Sequence, residues 1–408
     1  MPKSDLAQEA NAEIQQAGEV DLLVGISGAV NAEALQQQAS ALLDGLRKSS
    51  GVSRIMIAYP ESGKVEAANS DLVPYPLAAS GPVNFPWVVS SIALKAICSL
   101  ALDLNAKVCV ALQADLLMLS AERVQMLTGP VLEKQCDLVL PVYPSRKFDG
   151  LLNHSILAPL VRALYGQRVR YPLAQDIGCS PGMFQKLSVP VRSREHGDGA
   201  LMWPSVVAAI SNYKTCQVNV DAHHSTQTEG LELSAVLANV AGAAFTEMET
   251  YAPYWQRVRG SHPTATSGNI DQQITGGEPV DAKPLIDSFI LGSRNLQEVW
   301  GLVLPPATLL ELRKLARSAP ESFRMPDELW ARIVYDFALA YRLRTINRGH
   351  LMGALTPLYL GWVASYVQEM AARSPLAAEQ RFEQLARTYE EAKPYLVSRW
   401  RWPDRFNP

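Results

Sequence analysis

The chain is sparing with the residues that most often announce chemistry. Of 408 residues only six are histidine and five are cysteine. The cysteines (Cys98, Cys109, Cys136, Cys179 and Cys216) are scattered and show no Cys-x-x-Cys spacing, which excludes a zinc ribbon or a dithiol redox motif. Three of them sit in apolar strand-like runs, so reduced and buried thiols are expected, as in cytosolic proteins. Positive charge is not in excess either. The formal net charge is -3, which offers no broad electrostatic footprint for nucleic acid. No uninterrupted apolar run reaches the roughly 20 residues of a bilayer span. The nearest, Pro86 to Leu104, is broken by Lys95, serines and Asp103 and reads as a buried helix. The opening "MPKSDLAQEANAEIQQAG" is polar and lacks the apolar stretch of a secretion signal. These absences predict a cytoplasmic protein without a membrane span or a nucleic-acid partner.

What is present is an ordinary globular composition, 48% hydrophobic and 19% charged. At this length one compact core is not enough, and two domains are expected. From about residue 20, short β-branched runs alternate with helical patterns. "LLVGI" (Leu22 to Ile26) is a buried-strand pattern, and "NAEALQQQASALLDGL" follows with Ala34, Leu35, Ala39, Leu42 and Leu43 on one face and Asn31 as N-cap. "RIMIAY", "VCVAL", "CDLVLPVY" and "CQVNV" read as further strands, with helices over 87–104 and after Ser120. Such alternation predicts an α/β fold with a mainly parallel sheet covered on both faces. The segment Gly260 to Lys283 is rich in Gly, Thr, Ser and Pro and reads as a flexible loop or linker. Beyond it the pattern is helical. "MPDELWARIVYDFALAYRLR" opens with Pro and two acids, then sets Leu329, Ile333, Phe337 and Tyr341 four residues apart. The expected order is a polar segment 1–19, an α/β domain 20–258, a linker 259–283 and a helical domain 284–408.

In a parallel sheet, ligands bind beyond the carboxyl ends of the strands. The residues to weigh are therefore Ser27 and Gly28, Tyr59 to Ser62, Gln113 to Asp115, and Tyr143 to Gly150. Asp115 could hold Mg²⁺ or Mn²⁺ with a second ligand, although an acid there also suits a helix N-cap. His223 and His224 follow the last strand, and adjacent residues on an extended chain point to opposite sides, so at most one serves a given site. Arg146 and Lys147 form a basic rim suited to an anion. Asp149 and Gly150 read as a turn, and Asn153 to Ser155 opens a helix. Asp176, in "YPLAQDIGCS", fits either a structural turn or a site.

The order of these segments is informative. "RKFDGLLNHSILAPLVRALYGQRVRYPLAQDIGCS", together with "FRMPDELWARIVYDFALAYRLR" and "LTPLYLGWVASY", resembles the GT-A-fold retaining glycosyltransferases of the glucosylglycerate, mannosylglycerate and glucosyl-3-phosphoglycerate synthase type. The resemblance implies a Rossmann-like GT-A domain, a helical C-terminal region, a nucleotide-sugar donor and a small anionic hydroxy-acid acceptor. It also implies a homodimer and a Mg²⁺ or Mn²⁺ ion held by Asp115 and His224, with His223 as the alternative in register. The nucleotide side would then include Ser27, Gly28, Glu61, Lys95, Gln113 and Asp115. The acceptor side would include Arg146, Lys147, Asp149, Gly150, Asn153 and Ser155, with Asp176 and Asn153 nearest the chemistry. The nucleotide side also departs from the family pattern. Asp-x-Asp is Gln113-Ala114-Asp115, the glycine-rich Lys segment reads "VVSSIALK", and Gly-Gly-Asp is Ala174-Gln175-Asp176. A glycosyltransferase and a non-catalytic relative with an altered donor site are both compatible with this. A nucleotidyltransferase would want a glycine-rich loop that "ISGAVNAEA" supplies poorly.

Overall fold

The computed structural model describes residues 19–27, 32–49, 52–60, 71–76, 91–113, 120–189, 201, 203–220, 233–268 and 274–403. They form two compact units that interleave along the chain. One contains the described residues of Met1–Pro144, Tyr171–Ser225 and Thr264–Asp271; the other contains those of Ser145–Arg170, Thr226–Pro263 and Gln272–Pro408.

The first unit is an α/β layer structure. Its strands are β1 (Leu22–Ile26), β2 (Ile55–Pro60), β3 (Leu72–Tyr75), β4 (Val108–Leu112) and β5 (Leu138–Val142). The second unit then supplies β6 (Ser145–Arg146) and β7 (Gln167–Arg168), and the sheet resumes with β8 (Ile177–Cys179) and β9 (Thr215–Asn219). The remaining strands are β10 (His262–Pro263), β11 (Ala265–Ser267) and β12 (Ile274–Thr275). The eight-stranded sheet has the order β11-β9-β5-β8-β4-β1-β2-β3. All neighbours are parallel except β8, which runs antiparallel between β4 and β5. This is the mainly parallel, helix-flanked arrangement that the alternation predicts.

The central strands β1, β4 and β5 are apolar on both faces because helices cover both. On one side Leu35, Leu42 and Leu46 of the helix Ala32–Ser49, with Val124, Leu127 and Val131 of Ala121–Leu132, share a core with Val24, Val110 and Val139. On the other, Gly25 of β1 faces the helix Ser91–Asp103 so closely that a Cβ would lie 2.4 Å from Ile97 Cγ2. The helix expected over 87–104 is therefore described from Ser91.

Two expectations change here. The segment assigned to a linker carries three short strands, and β11 extends the main sheet beside β9. Its polar "ATS" sequence was misleading because an edge strand needs backbone pairing, not a hydrophobic period. The cysteines are not all free: Cys136 and Cys216 form a disulfide with Cα atoms 6.1 Å apart, while Cys98, Cys109 and Cys179 are free and buried. Parallel pairing of β5 with β9 brings the two together across a sequence separation of 80 residues, which spacing alone cannot show.

The second unit is helical. Its long elements are Leu233–Thr250, Lys283–Asn295, Asp327–Leu343, Arg348–Met370 and Pro375–Arg401, joined by short ladders of β6 with β12 and β7 with β10. Its core holds a stack of near-parallel rings: His154 on Phe382 at 4.2 Å, Phe382 on Tyr366 at 5.1 Å, and Tyr366 on Trp362 at 5.4 Å. Among the described residues no helix is long and apolar enough to cross a membrane.

Candidate functional site

The parallel strands of the first unit place their carboxyl ends at one edge of the sheet, and the residues just beyond β1, β4 and β5 are linked. Ser27 follows β1, and its amide N–H donates to the Leu112 carbonyl at 2.8 Å, holding the ends of β1 and β4 level. Its hydroxyl donates to Gln113 Oε1 at 2.9 Å. The Gln113 backbone N–H donates in turn to Asp176 Oδ1 at 3.2 Å. Asp176 Oδ2 accepts from the Tyr143 hydroxyl at 3.0 Å and from Arg123 Nη2. One hydrogen-bonded chain thus ties the ends of β1, β4 and β5 to the residue that leads into β8.

Arg123 sits in the first turn of the helix Ala121–Leu132, where Ser120 Oγ accepts its backbone N–H at 3.2 Å. A cation at a helix N-terminus opposes the helix dipole. Such a placement persists where a carboxylate offsets it, and Asp176 is that carboxylate. This mismatch is the sequence signal that could have singled out Arg123. Asp176 is 1% exposed, and a buried carboxylate needs both a counter-charge and hydrogen bonds to remain ionised. Arg123, Tyr143 and the Gln113 amide supply them. Burial, reinforced by the Asp176 charge, holds the Tyr143 phenol well above its ordinary range, so it stays a donor.

Of the nucleotide-side residues expected from sequence, Ser27 and Gln113 meet at this edge, together with Asp176. Lys95 lies on the helix Ser91–Asp103, half-buried. Gly28, Glu61, Asp115, His223 and His224 lie outside the described residues. Among the described residues no group of three or more His, Cys, Asp and Glu could hold a metal ion. Asp176, the one buried acid at this edge among the described residues, is already matched by Arg123.

The acceptor-side residues all belong to the second unit. Asp149 closes a turn with Arg146, accepting its N–H at 3.1 Å, and Gly150 follows with φ of 62°, the left-handed region a glycine adopts without penalty. Arg146 is exposed. Lys147 is not: it is buried, and its ammonium donates to the carbonyls of Met370 (2.9 Å), Ala371 (3.2 Å) and Arg373 (3.3 Å). It therefore completes the carboxyl end of the helix Arg348–Met370, whose last carbonyls have no intrahelical partner. Sequence alone suggested a solvent-facing cation because the carbonyls lie more than 200 residues along the chain. Replacing Lys147 with Met is expected to cost about 2 kcal/mol in chemical denaturation, from lost charge-assisted bonds. An unchanged unfolding midpoint would refute this capping role. Asn153 donates from Nδ2 to the Arg170 carbonyl at 2.7 Å. The Ser155 carbonyl accepts from Trp330 Nε1 at 3.0 Å and the Tyr389 hydroxyl at 2.8 Å, while its buried hydroxyl has no partner among the described residues. Asn153–Leu157 is a π-helical turn that runs directly into the α-helix Ala158–Tyr165.

No protein-family model matches the chain, and no curated relative matches it. Among solved structures, it is similar to glucosyl-3-phosphoglycerate synthase from Mycobacterium tuberculosis in complex with phosphoglyceric acid. The TM-score is 0.37 and the identity 18%, over 61% of this chain and 84% of that one. It is also similar to a candidate nucleotide-diphospho-sugar transferase from Desulfovibrio desulfuricans G20. There the TM-score is 0.26 and the identity 13%, over 57% of this chain and 98% of that one.

Proposed function

We propose that the protein is a glycosyltransferase that moves a hexose from a nucleoside-diphosphate sugar to a small anionic hydroxy acid of the glycerate kind, with retention at the anomeric carbon. The observation that supports this reading most is the linked chain Ser27–Gln113–Asp176–Arg123/Tyr143 at the carboxyl edge of a mainly parallel sheet. Ligands of such sheets bind at that edge, and a prearranged set of hydroxyl, amide and guanidinium groups suits a polyhydroxylated, charged donor. The family resemblance of the sequence points the same way.

In this reading Ser27 and Gln113 offer a hydroxyl and a neutral amide, able to donate and accept with ribose or sugar hydroxyls. Arg123, fixed by Asp176, brings positive charge to the side where the diphosphate departs. Asp176 is a positioning residue: its two oxygens already accept from the Gln113 backbone N–H, the Tyr143 hydroxyl and Arg123. Taking that proton onto the departing phosphate, as retention allows, needs no protein base. A Mg²⁺ or Mn²⁺ ion, for which Asp115 and His224 are the proposed ligands, would supply further charge against the leaving group. A homodimer belongs to the same proposal, supported by the exposed Leu291, Leu302 and Leu310 on three successive helices.

The test is a thermal-shift and calorimetric screen of UDP- and GDP-hexoses, each with and without Mn²⁺. A ligand of the native state raises the melting temperature, by about 2.7 kcal/mol of added stability at a hundredfold excess over Kd. No shift with any nucleotide sugar would overturn the reading. One observation favours a second reading, a non-catalytic relative: Asp176 is fully engaged and residue 113 is an amide instead of an acid. That reading expects binding, if any, without sugar transfer in a coupled nucleotide-release assay.

A further inference from the structure

Asn219, the last residue of β9, is polar where its surroundings give it nothing to bond. Its Nδ2 and Oδ1 are both buried and neither has a hydrogen-bond partner among the described residues. The flanking strands show why. On one side Asn219 pairs in register with Val142 of β5, which has no polar side-chain atom. On the other, the β11 ladder pairs Thr266 with Gln217 and Ser267 with Val218, and Gly268 comes next. Gln217, on the same face of the sheet two residues earlier, is satisfied: its Nε2 donates to Thr266 Oγ1 at 3.1 Å. One position further along that face, the facing residue has no side chain. Gly268 adopts φ of 89°, and a Cβ there would lie 3.2 Å from Asn219 Cβ and 3.4 Å from its Nδ2. Glycine thus keeps the space beside the amide open.

A buried amide that no protein group completes costs stability unless a ligand or solvent group completes it. Asparagine is also a poor strand former. The residue stands at the carboxyl end of a parallel strand, the edge where ligands of such sheets bind. We propose that Asn219 is a ligand-binding residue whose amide receives a hydroxyl group of the substrate, donating through Nδ2 and accepting through Oδ1. A hydroxyl is the group that matches both halves, since it donates and accepts through one atom. A purely anionic group would leave Oδ1 unpaired, so this position favours a ligand that bears a hydroxyl over a bare phosphate. The inference rests on the nucleotide-sugar reading for the identity of that ligand: the hydroxyl comes either from the sugar of the donor or from the hydroxy acid.

The unmet bonds make the proposal testable without an activity assay. Asn219→Ala and Asn219→Leu should leave the melting temperature of the free protein unchanged or raised, since no bond is lost. A fall of several degrees in both variants would show a structural role and overturn the proposal. Affinities of wild type and Asn219→Ala are then measured for UDP, GDP, the corresponding hexose nucleotides and glycerate. A loss of about five- to tenfold for the hexose nucleotides, with UDP and GDP unchanged, places the hydroxyl on the donor sugar. The same loss for glycerate alone places it on the acceptor. Wild-type binding with unchanged variant affinities overturns this inference alone. Failure of the wild type to bind any probe overturns the nucleotide-sugar reading, and this inference with it.

Discussion

Asp176→Ala is expected to lower stability by about 3 kcal/mol or more, read as a leftward shift of the urea unfolding midpoint. The magnitude follows from what remains after the substitution. Arg123 keeps its charge, its side chain is only 13% exposed, and its single carboxylate is gone. An uncompensated buried charge of this kind costs about 3–5 kcal/mol. The Tyr143 hydroxyl and the Gln113 amide each lose an acceptor as well. The double variant Asp176→Leu with Arg123→Met removes both charges together and should recover much of the loss, because apolar replacement of a whole buried pair is often close to neutral. That contrast separates a positioning role from a catalytic one. A catalytic aspartate could be replaced with little change in the unfolding midpoint, and an Asp176→Ala protein as stable as wild type would refute the ion-pair assignment.

Gly178→Ala is the second large effect. Gly178 lies on β8, the only antiparallel strand of the sheet's described residues, where the helix Ala121–Leu132 crosses it. A Cβ at this position would lie 1.9 Å from the Leu127 carbonyl oxygen and 2.9 Å from its carbon. Those are backbone atoms of a helix, which cannot rotate away as a side-chain tip can. The helix must lift or the strand must leave its register, and overpacking of that kind costs about 3 kcal/mol or more. Gly129→Ala on the same helix is the matched control, since nothing lies within 4 Å of its Cβ position. It should raise stability by about 0.5–1 kcal/mol through helix propensity alone. If Gly178→Ala expresses only as insoluble protein while Gly129→Ala folds, the contrast still locates the contact. Equal stability of the two variants would refute it.

The consequence for function is spatial. The helix that Gly178 admits carries Arg123 in its first turn, and the strand that contains Gly178 begins directly after Asp176. Close passage of helix over strand is therefore what lets the guanidinium reach the carboxylate. The same device recurs in the second unit, where a Cβ on Gly292 would meet Pro357 at 2.5 Å and one on Gly361 would meet Phe289 at 2.8 Å. There it sets the spacing of Lys283–Asn295 against Arg348–Met370.

Much of the architecture was legible in the chain because it is local. Runs such as "LLVGI", "VCVAL" and "LVLPV" are apolar at every position, which only a strand covered on both faces requires. The helix Asp327–Leu343 follows from its Pro and acids at the start and its four-residue apolar spacing. Since ligands of a parallel sheet bind beyond its strands, Ser27 and Gln113 could be singled out before their contacts were known, whereas Asp176 precedes β8 and lay outside that rule. β8 was not legible: three residues containing a glycine carry no period. Nor was β11, whose pairing rests on backbone groups that every residue possesses.

What the sequence by itself determined is the α/β class, the helical second part and the short list of polar residues at strand ends. All of these depend on patterns within about twenty residues, where side-chain periodicity and capping preferences act. Only the tertiary structure decided how those polar residues are spent. Asp176 meets Gln113 across 63 positions and Arg123 across 53, and Lys147 turns to carbonyls 223 to 226 positions away. Asn219 remains unbonded because of what its neighbours across the sheet happen to be. The pairing of distant strands and the depth of burial fix these outcomes, and no local period encodes either.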